Sequence, residues 1–434
     1  MIVLDEQYGY REINKKIDFD PQDYKQDLKK PLYNKYFTQK KNGKGLCYEL
    51  ALNATEFNFK TSYFVGVDWI LENKLPIYVQ PKQNTETSEI NFIAMLFEAL
   101  KEPENFNHLD HLFEIDFSKP EIEIEQEQDL ISPFLVIQFL HLLKKLVKKG
   151  LRKSYYPVVK NLNSKVRGKI LVQETIRKNH FKRKLLHNYC RYEEYGANSI
   201  ENRILKKALL FSLKVTQNFR GIDLNPLNEI YRYVQPSFEK VNEDVDLIDL
   251  KTYKPSPLFK EYKEALKLAK IILKRYGYSI KTINEEKVKT PPFWIDMSKL
   301  FELYVYKKLR EAFPEKGEIT YHKSFNRLEP DYILKSADGN FSMVVDAKYK
   351  PNYKDDCISK EDAWQVSGYA RMKNVYDFLN IKDVHFNIDC LVIYSNQFLD
   401  NMTLERVKLK SNEEKNYVNI YKIGVKLPEN KLKD

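Results

Sequence analysis

The pattern that most restricts this chain lies in its last third. Two short β-type runs, Tyr332-Ile333-Leu334 and Met343-Val344-Val345, are separated by the turn-rich stretch Ser336-Ala337-Asp338-Gly339-Asn340. Asp-Gly is a preferred centre for a two-residue hairpin turn. With Ala337 and Asn340 flanking that turn, the register sets Asp331 opposite Asp346. Directly opposed residues have Cβ atoms roughly 4.5–5.5 Å apart, and like charges there destabilise a sheet. A positive charge between the two carboxylates removes the penalty, and a hard divalent cation with oxygen ligands is the natural candidate. Alternation along the strand puts Lys348 on the face of Asp346, with Val345 and Ala347 pointing to the core.

An ammonium beside two carboxylates suits phosphodiester hydrolysis. The acids hold a cation, and the lysine orients the attacking water and neutralises charge at the phosphate. Further residues extend the set. The segment Asp296 to Phe313 reads as a helix capped by Asp296 or Ser298, with Met297, Phe301, Tyr304, Val305 and Leu309 on its apolar face. Glu302 borders that face, and a carboxylate there needs a partner; a metal would serve, which makes it a third ligand. A later helix starts near Ser359, where Ser359 and Asp362 have capping-box spacing. Gln365 and Tyr369 are four residues apart on it and share a face, so Gln365 can assist at the water or the phosphate. Taken singly, a D-x-K strand is most often an exposed edge and Glu302 a surface charge. The ordered set is what points to a nuclease.

The 434 residues suggest a multidomain α+β chain. We expect a β-rich N-terminal domain over 1–130, where Phe64-Val65-Gly66-Val67 and Ile77-Tyr78-Val79 flank Glu72-Asn73-Lys74 as a hairpin. A mainly helical, basic middle region follows over 131–285. It includes a helix from Pro133 to Leu151 with Gly150 as C-cap, then helices over Glu201–Val215 and Ser256–Ile272. Lys287 to Pro292 reads as a connector, and a C-terminal α/β domain fills 286–434.

Only 13 glycines are present and no G-x-x-x-x-G-K-[ST] occurs, which argues against nucleotide binding through a P-loop. The net charge of +11 points to a polyanionic partner, or else to a Lys-rich proteome. Between Lys144 and Lys184, fifteen Lys or Arg face one acid, Glu174, with Tyr155, Tyr156 and several Asn interleaved. That density favours a phosphate-contacting surface over a merely solvated face. The four cysteines show no C-x-x-C spacing, so neither a zinc site nor a disulfide framework is expected. His108 and His111 form an H-x-x-H without a zincin glutamate, and a surface or helix-packing role is the better reading. No signal peptide and no membrane span are expected, which fits a cytoplasmic setting.

The ordered set Glu302, Pro330-Asp331, Asp346-Ala347-Lys348 and Gln365-x-x-x-Tyr369 resembles the PD-(D/E)XK nuclease superfamily. Stretches outside it resemble the McrC family, the nuclease subunit of McrBC-type modification-dependent restriction systems. They include Tyr63-Phe64-Val65-Gly66-Val67, Val166-Arg167-Gly168-Lys169-Ile170, Cys190-Arg191-Tyr192-Glu193-Glu194 and Asn202-Arg203-Ile204-Leu205-Lys206, so the likeness spans roughly 60 to 375. The resemblance implies a C-terminal PD-(D/E)XK endonuclease domain that cuts double-stranded DNA with Mg2+, or Mn2+, in phage defence. It implies a McrB-like AAA+ GTPase hexamer as partner, contacted by the N-terminal domain. Asp331 and Asp346 then hold metal with Glu302, while Lys348 and Gln365 act at the water and phosphate. The chain is long for a minimal McrC, and the residue that stimulates the partner's GTPase is not assigned. Two other readings stay open. One is a stand-alone or helicase-associated repair nuclease, which would cut without an NTPase partner. The other is a non-catalytic DNA-binding scaffold, which would bind no metal.

Overall fold

A computed structural model describes residues 1–9, 19–24, 26–38, 44–52, 57–84, 88–116, 118–124, 131–217, 224–245, 260–279, 288–325, 328–351, 357–383, 385–399 and 403–431. The chain forms two compact units. One joins Met1–Gln128 to Glu286–Asp434, and the other is Asp129–Glu285.

The first segment of the larger unit is strand-rich. It holds β1 (Ile2–Asp5), β2 (Leu32–Phe37), β3 (Gly45–Leu52), β4 (Phe57–Thr61), β5 (Phe64–Leu71), β6 (Leu75–Gln80) and β7 (Ser88–Ile90). After these come helix α1 (Phe92–Ala99), β8 (Phe113–Ile115) and β9 (Ile122–Ile124). The expected hairpin is β5–β6, turning at Asn73 in the left-handed region. Alternate residues of β5 and β6 enter a core with Phe37, Phe59 and Trp294, as period-two burial requires.

The smaller unit contains α2 (Ile131–Lys149), β10 (Ser154–Asn163), β11 (Lys169–Ile170), α3 (Val172–Lys178), β12 (His187–Gly196), α4 (Ile200–Thr216), α5 (Asn225–Val234) and α6 (Lys260–Ser279). Gly150 follows α2 with φ +87°, as a C-cap glycine does. Residues 256–259, where the third helix was expected to begin, lie outside the described residues. Asn202 is buried and ties α4 to its surroundings: its Nδ2 donates to the carbonyls of Arg152 and Ala197, and its Oδ1 accepts from Tyr262. The basic run forms the sheet β10–β12–β11 with α3. Gly168 turns it at φ +66°, where a Cβ would lie 2.4 Å from the Arg191 carbonyl oxygen.

The larger unit resumes with β13 (Val288–Thr290) and β14 (Phe293–Asp296). The expected connector is therefore in part a strand, since β13 pairs with β9. β14 lies between β5 and β8 in the first sheet, whose order is β1-β6-β5-β14-β8. Gly66 permits this: a Cβ there would meet the Phe293 carbonyl oxygen at 2.0 Å. Then follow α7 (Met297–Ala312), β15 (Ile319–Tyr321), β16 (Tyr332–Lys335), β17 (Ser342–Pro351), α8 (Lys360–Ala370), α9 (Lys373–Leu379), β18 (Asp389–Ser395), β19 (Ile420–Val425) and β20 (Glu429–Lys431). β20 pairs with β7.

Strands β15 to β19 lie side by side in that order. The first three are antiparallel and the last three parallel. The parallel β17–β18 step needs a crossover, which α8 and α9 supply. α7 packs against β15 and β17, and α8 against β17 and β18. Ile333, Val344 and Val392 form one core with Ala363 and Val366 of α8. All four cysteines are free. Among the described residues, no helix is long and apolar enough to cross a membrane.

Candidate active site

The β16–β17 register brings the two aspartates together. Tyr332 pairs with Val345 and Lys335 with Ser342, as the sequence register requires. The turn differs from expectation. Backbone pairing closes at Ser336 N–H to Phe341, and 337–340 form a longer connection than a two-residue turn. Asp338 explains this, because its Oδ1 accepts from Ser336 Oγ at 2.6 Å and from Asn340 N–H at 3.1 Å. Extending the connection by one residue on each side leaves the pairing unchanged.

Asp331 stands just before β16, and its Oδ2 accepts from the Ala347 N–H on the neighbouring strand at 2.8 Å. Asp346 is fully buried. Its Oδ2 lies 2.7 Å from Lys348 Nζ, an ion-pair distance without hydrogen-bond alignment. Its Oδ1 has no hydrogen-bond partner among the described residues. Burial pushes the Asp331 carboxyl well above the usual range, and the charges of Asp346 and Glu302 push it further. Asp346 is raised by burial too, against the opposing pull of Lys348. Burial alone would lower the Lys348 pKa, but Asp346 more than offsets it and the net direction is upward.

Lys348 Nζ also donates to Gln365 Oε1 at 2.8 Å, and Gln365 Nε2 donates to the Tyr369 hydroxyl at 3.0 Å. α8 places both. Ser359 caps it by accepting from Asp362 N–H, as the spacing indicated. Asp362 does more than close the cap. It is buried, accepts from Ser359 Oγ at 2.7 Å and Lys350 Nζ at 2.6 Å, and lies 3.9 Å from Lys348 Nζ.

Glu302 projects from α7, which Asp296 caps by accepting from Lys299 N–H at 3.1 Å. Its Oε2 receives the Tyr321 hydroxyl at 3.3 Å and lies 3.0 Å from His322 Nε2. One donor atom each from Glu302, His322 and Asp331 fall within 4.8 Å of one another. Oxygen and imidazole donors with an unpartnered buried carboxylate oxygen alongside fit a divalent cation. Sequence reasoning missed His322. It follows β15 directly, its N–H donates to the Asp331 carbonyl at 2.9 Å, and its φ is +49°. The only signal available was its place at the end of a strand ahead of Asp331. His108 packs edge-on against Tyr321, as a packing role predicts.

In the smaller unit, Lys160, Lys165, Arg167, Lys178, Lys182 and Arg183 are exposed. So are Tyr155, Phe181, Leu185 and Leu186, each at 66% or more.

Together these features define a mixed-sheet protein with a carboxylate-rich, lysine-flanked cluster at the β16–β17 pair. Residues 60–378 match the McrBC 5-methylcytosine restriction system component family, and the chain belongs to it. That is the family the McrC-like stretches indicated. Two solved structures from Thermococcus gammatolerans are similar. One is a half-complex from the tetradecameric assembly of McrB AAA+ hexamers with bound McrC, at 16% identity, TM-score 0.38, covering 98% of this chain and 94% of that one. The other is the McrBC complex by cryo-EM, at 18% identity, TM-score 0.28, covering 71% and 86%. No curated protein matches.

Proposed function

We propose that the chain is the McrC-like nuclease subunit of a McrBC-type system, hydrolysing DNA phosphodiesters at a PD-(D/E)XK site. The observation that carries this is Asp346. A fully buried carboxylate beside a second acid, with one oxygen unpartnered and a single lysine at ion-pair distance, is costly to keep ionised. Such a group persists where function uses it. Asp331, Asp346 and Glu302 would hold Mg2+ or Mn2+, which when bound supplies Lewis-acid polarisation of the phosphate and a more acidic water. Lys348, fixed by Asp346 and Gln365, aims its ammonium at the phosphate and the attacking water. Asp362 and Lys350 hold α8 against β17 so that Gln365 keeps its position.

The exposed basic sheet of the smaller unit supports contact with double-stranded DNA or with the acidic face of a partner. The partner in this reading is a McrB-like AAA+ GTPase hexamer, and the setting is the cytoplasm. The test is Asp346→Ala in the reconstituted system. DNA cleavage should be lost while stimulation of the partner's GTPase is retained. Retained cleavage would refute the site. Cleavage by the isolated chain at the same rate as with partner would instead favour a stand-alone nuclease.

A further inference from the structure

We infer that His322 is itself a metal ligand, so that the site binds a first-row transition ion such as Mn2+ in preference to Mg2+. The inference rests on the metal-nuclease reading and adds to it the identity of a ligand and the class of ion.

The argument starts from the backbone. β15 and β16 pair through Tyr321 and Tyr332, so the next positions outward are His322 and Asp331. There the backbone enters the left-handed region at His322. A non-glycine residue at positive φ is uncommon, although His is among the types that tolerate it better. The cost is accepted where the surroundings fix it, and such positions gather at ligand sites.

The ring's two nitrogens face different groups. Nε2 lies 3.0 Å from Glu302 Oε2, within the cluster that includes Asp331. Nδ1 lies 3.7 Å from Glu329 Oε1. A ligating histidine commonly offers one nitrogen to the metal and the other N–H to a carboxylate, which fixes tautomer and ring orientation. At His322, Glu329 stands at ion-pair rather than hydrogen-bond distance from Nδ1, placed on the side that the outer carboxylate would take. A histidine serving only as a hydrogen-bond donor to Glu302 would not need the second carboxylate. Beside the cluster, in the continuation of the β16–β17 register that opposes it to Asp331, Asp346 is ion-paired with Lys348 through Oδ2. It keeps a buried Oδ1 without a hydrogen-bond partner among the described residues, a second and independent sign of a missing cation.

Ligand type then decides the ion. Mg2+ prefers oxygen and keeps much of its water. Imidazole shifts affinity toward transition ions, and Mn2+ combines nitrogen ligation with tolerance for carboxylates.

The test uses the full chain loaded with Mn2+ and examined by pulsed electron paramagnetic resonance for 14N hyperfine coupling. Wild type should show directly bound imidazole nitrogen. His322→Gln should lose that coupling, and Mn2+ affinity should fall about tenfold or more. Mg2+ should displace Mn2+ from wild type only in about tenfold excess or more. Mn2+ that binds and is lost in Asp346→Asn, yet shows no nitrogen coupling, overturns the inference and leaves the nuclease reading standing. Displacement by equimolar Mg2+ overturns the ion preference. No Mn2+ binding to wild type overturns both the inference and the reading beneath it.

Discussion

Helix α7 carries two charged clusters that have opposite outcomes. Toward its C-terminal half, Lys307 and Lys308 are buried at 5% exposure. Lys307 pairs with Glu98 and, at 2.6 Å, with Glu311, while Lys101 reaches Glu98 at 2.8 Å. Burial pushes the Glu98 carboxyl up, but the hydrogen bonds from Lys101 and Lys307 outweigh it and hold the group below the usual range. One turn and a half earlier, Glu302 faces His322 and Asp331, and the acids opposite it are raised. The first cluster is balanced by its own lysines. The second has too little positive charge for its carboxylates, with Lys348 as the ammonium beside Asp346. Burial is common to both, so charge balance is what separates the two clusters, and in the proposed reading it is what the second offers to a cation.

The contrast can be broken in order of expected effect. Asp346→Asn should lower DNA cleavage on the order of 10³-fold or more. Melting curves of the metal-free protein should show no loss of stability, because burial of the Asp346 charge outweighs its ion pair with Lys348 and the variant removes that net cost. A cleaving but unstable variant would reverse the assignment. Glu98→Gln should do the opposite. It leaves Lys307 short of an acid, costs about 3 kcal/mol in denaturant titration, and leaves cleavage per folded molecule unchanged.

The pH dependence follows from the signs. Asp331 and Asp346 are raised above the unfolded carboxylate value of about 4. Their contribution is present below that value and lost as pH rises through the folded one. Glu98 is depressed, so its contribution is present above the unfolded value and lost as pH falls through the folded one. Metal-free Asp346→Asn should therefore gain most over wild type near neutrality and converge with it on acidification. Glu98→Gln should lose most near neutrality and also converge. A gain, or a loss, in both variants would dissolve the contrast. The smallest effect is Gln365→Ala, which should slow cleavage about tenfold, the worth of one exposed hydrogen bond to a charged group.

Much of this arrangement was legible from local chemistry. Strand alternation and the Asp338-Gly339 turn placed Asp331, Asp346 and Lys348, and the register held although the turn opened by two residues. Helical spacing put Glu302 at the border of a buried face and Gln365 beside Tyr369. What was not legible depends on distant pairing. His322 joins Glu302 only because β15 folds back beside β16, a tertiary event with no sequence period. Asp362 read as a cap, and its contact with Lys350 needed the crossover helix in place. The apolar stripe of α7 understated its burial, because Lys307 and Lys308 are buried with partners from α1 and the last turn. In the middle region, the density of charge masks the alternation that makes β10 and β12 a ten-residue pair.

Calorimetric titration of the metal-free full chain with a divalent cation at neutral pH tests the main proposition at its source. Ion binding should release protons, because carboxyls held above their usual range must ionise to ligate; the apparent enthalpy should then vary with the buffer's ionisation enthalpy, and Asp346→Asn should abolish the signal. Binding of equal strength in that variant, or no binding by the unaltered chain, would contradict it.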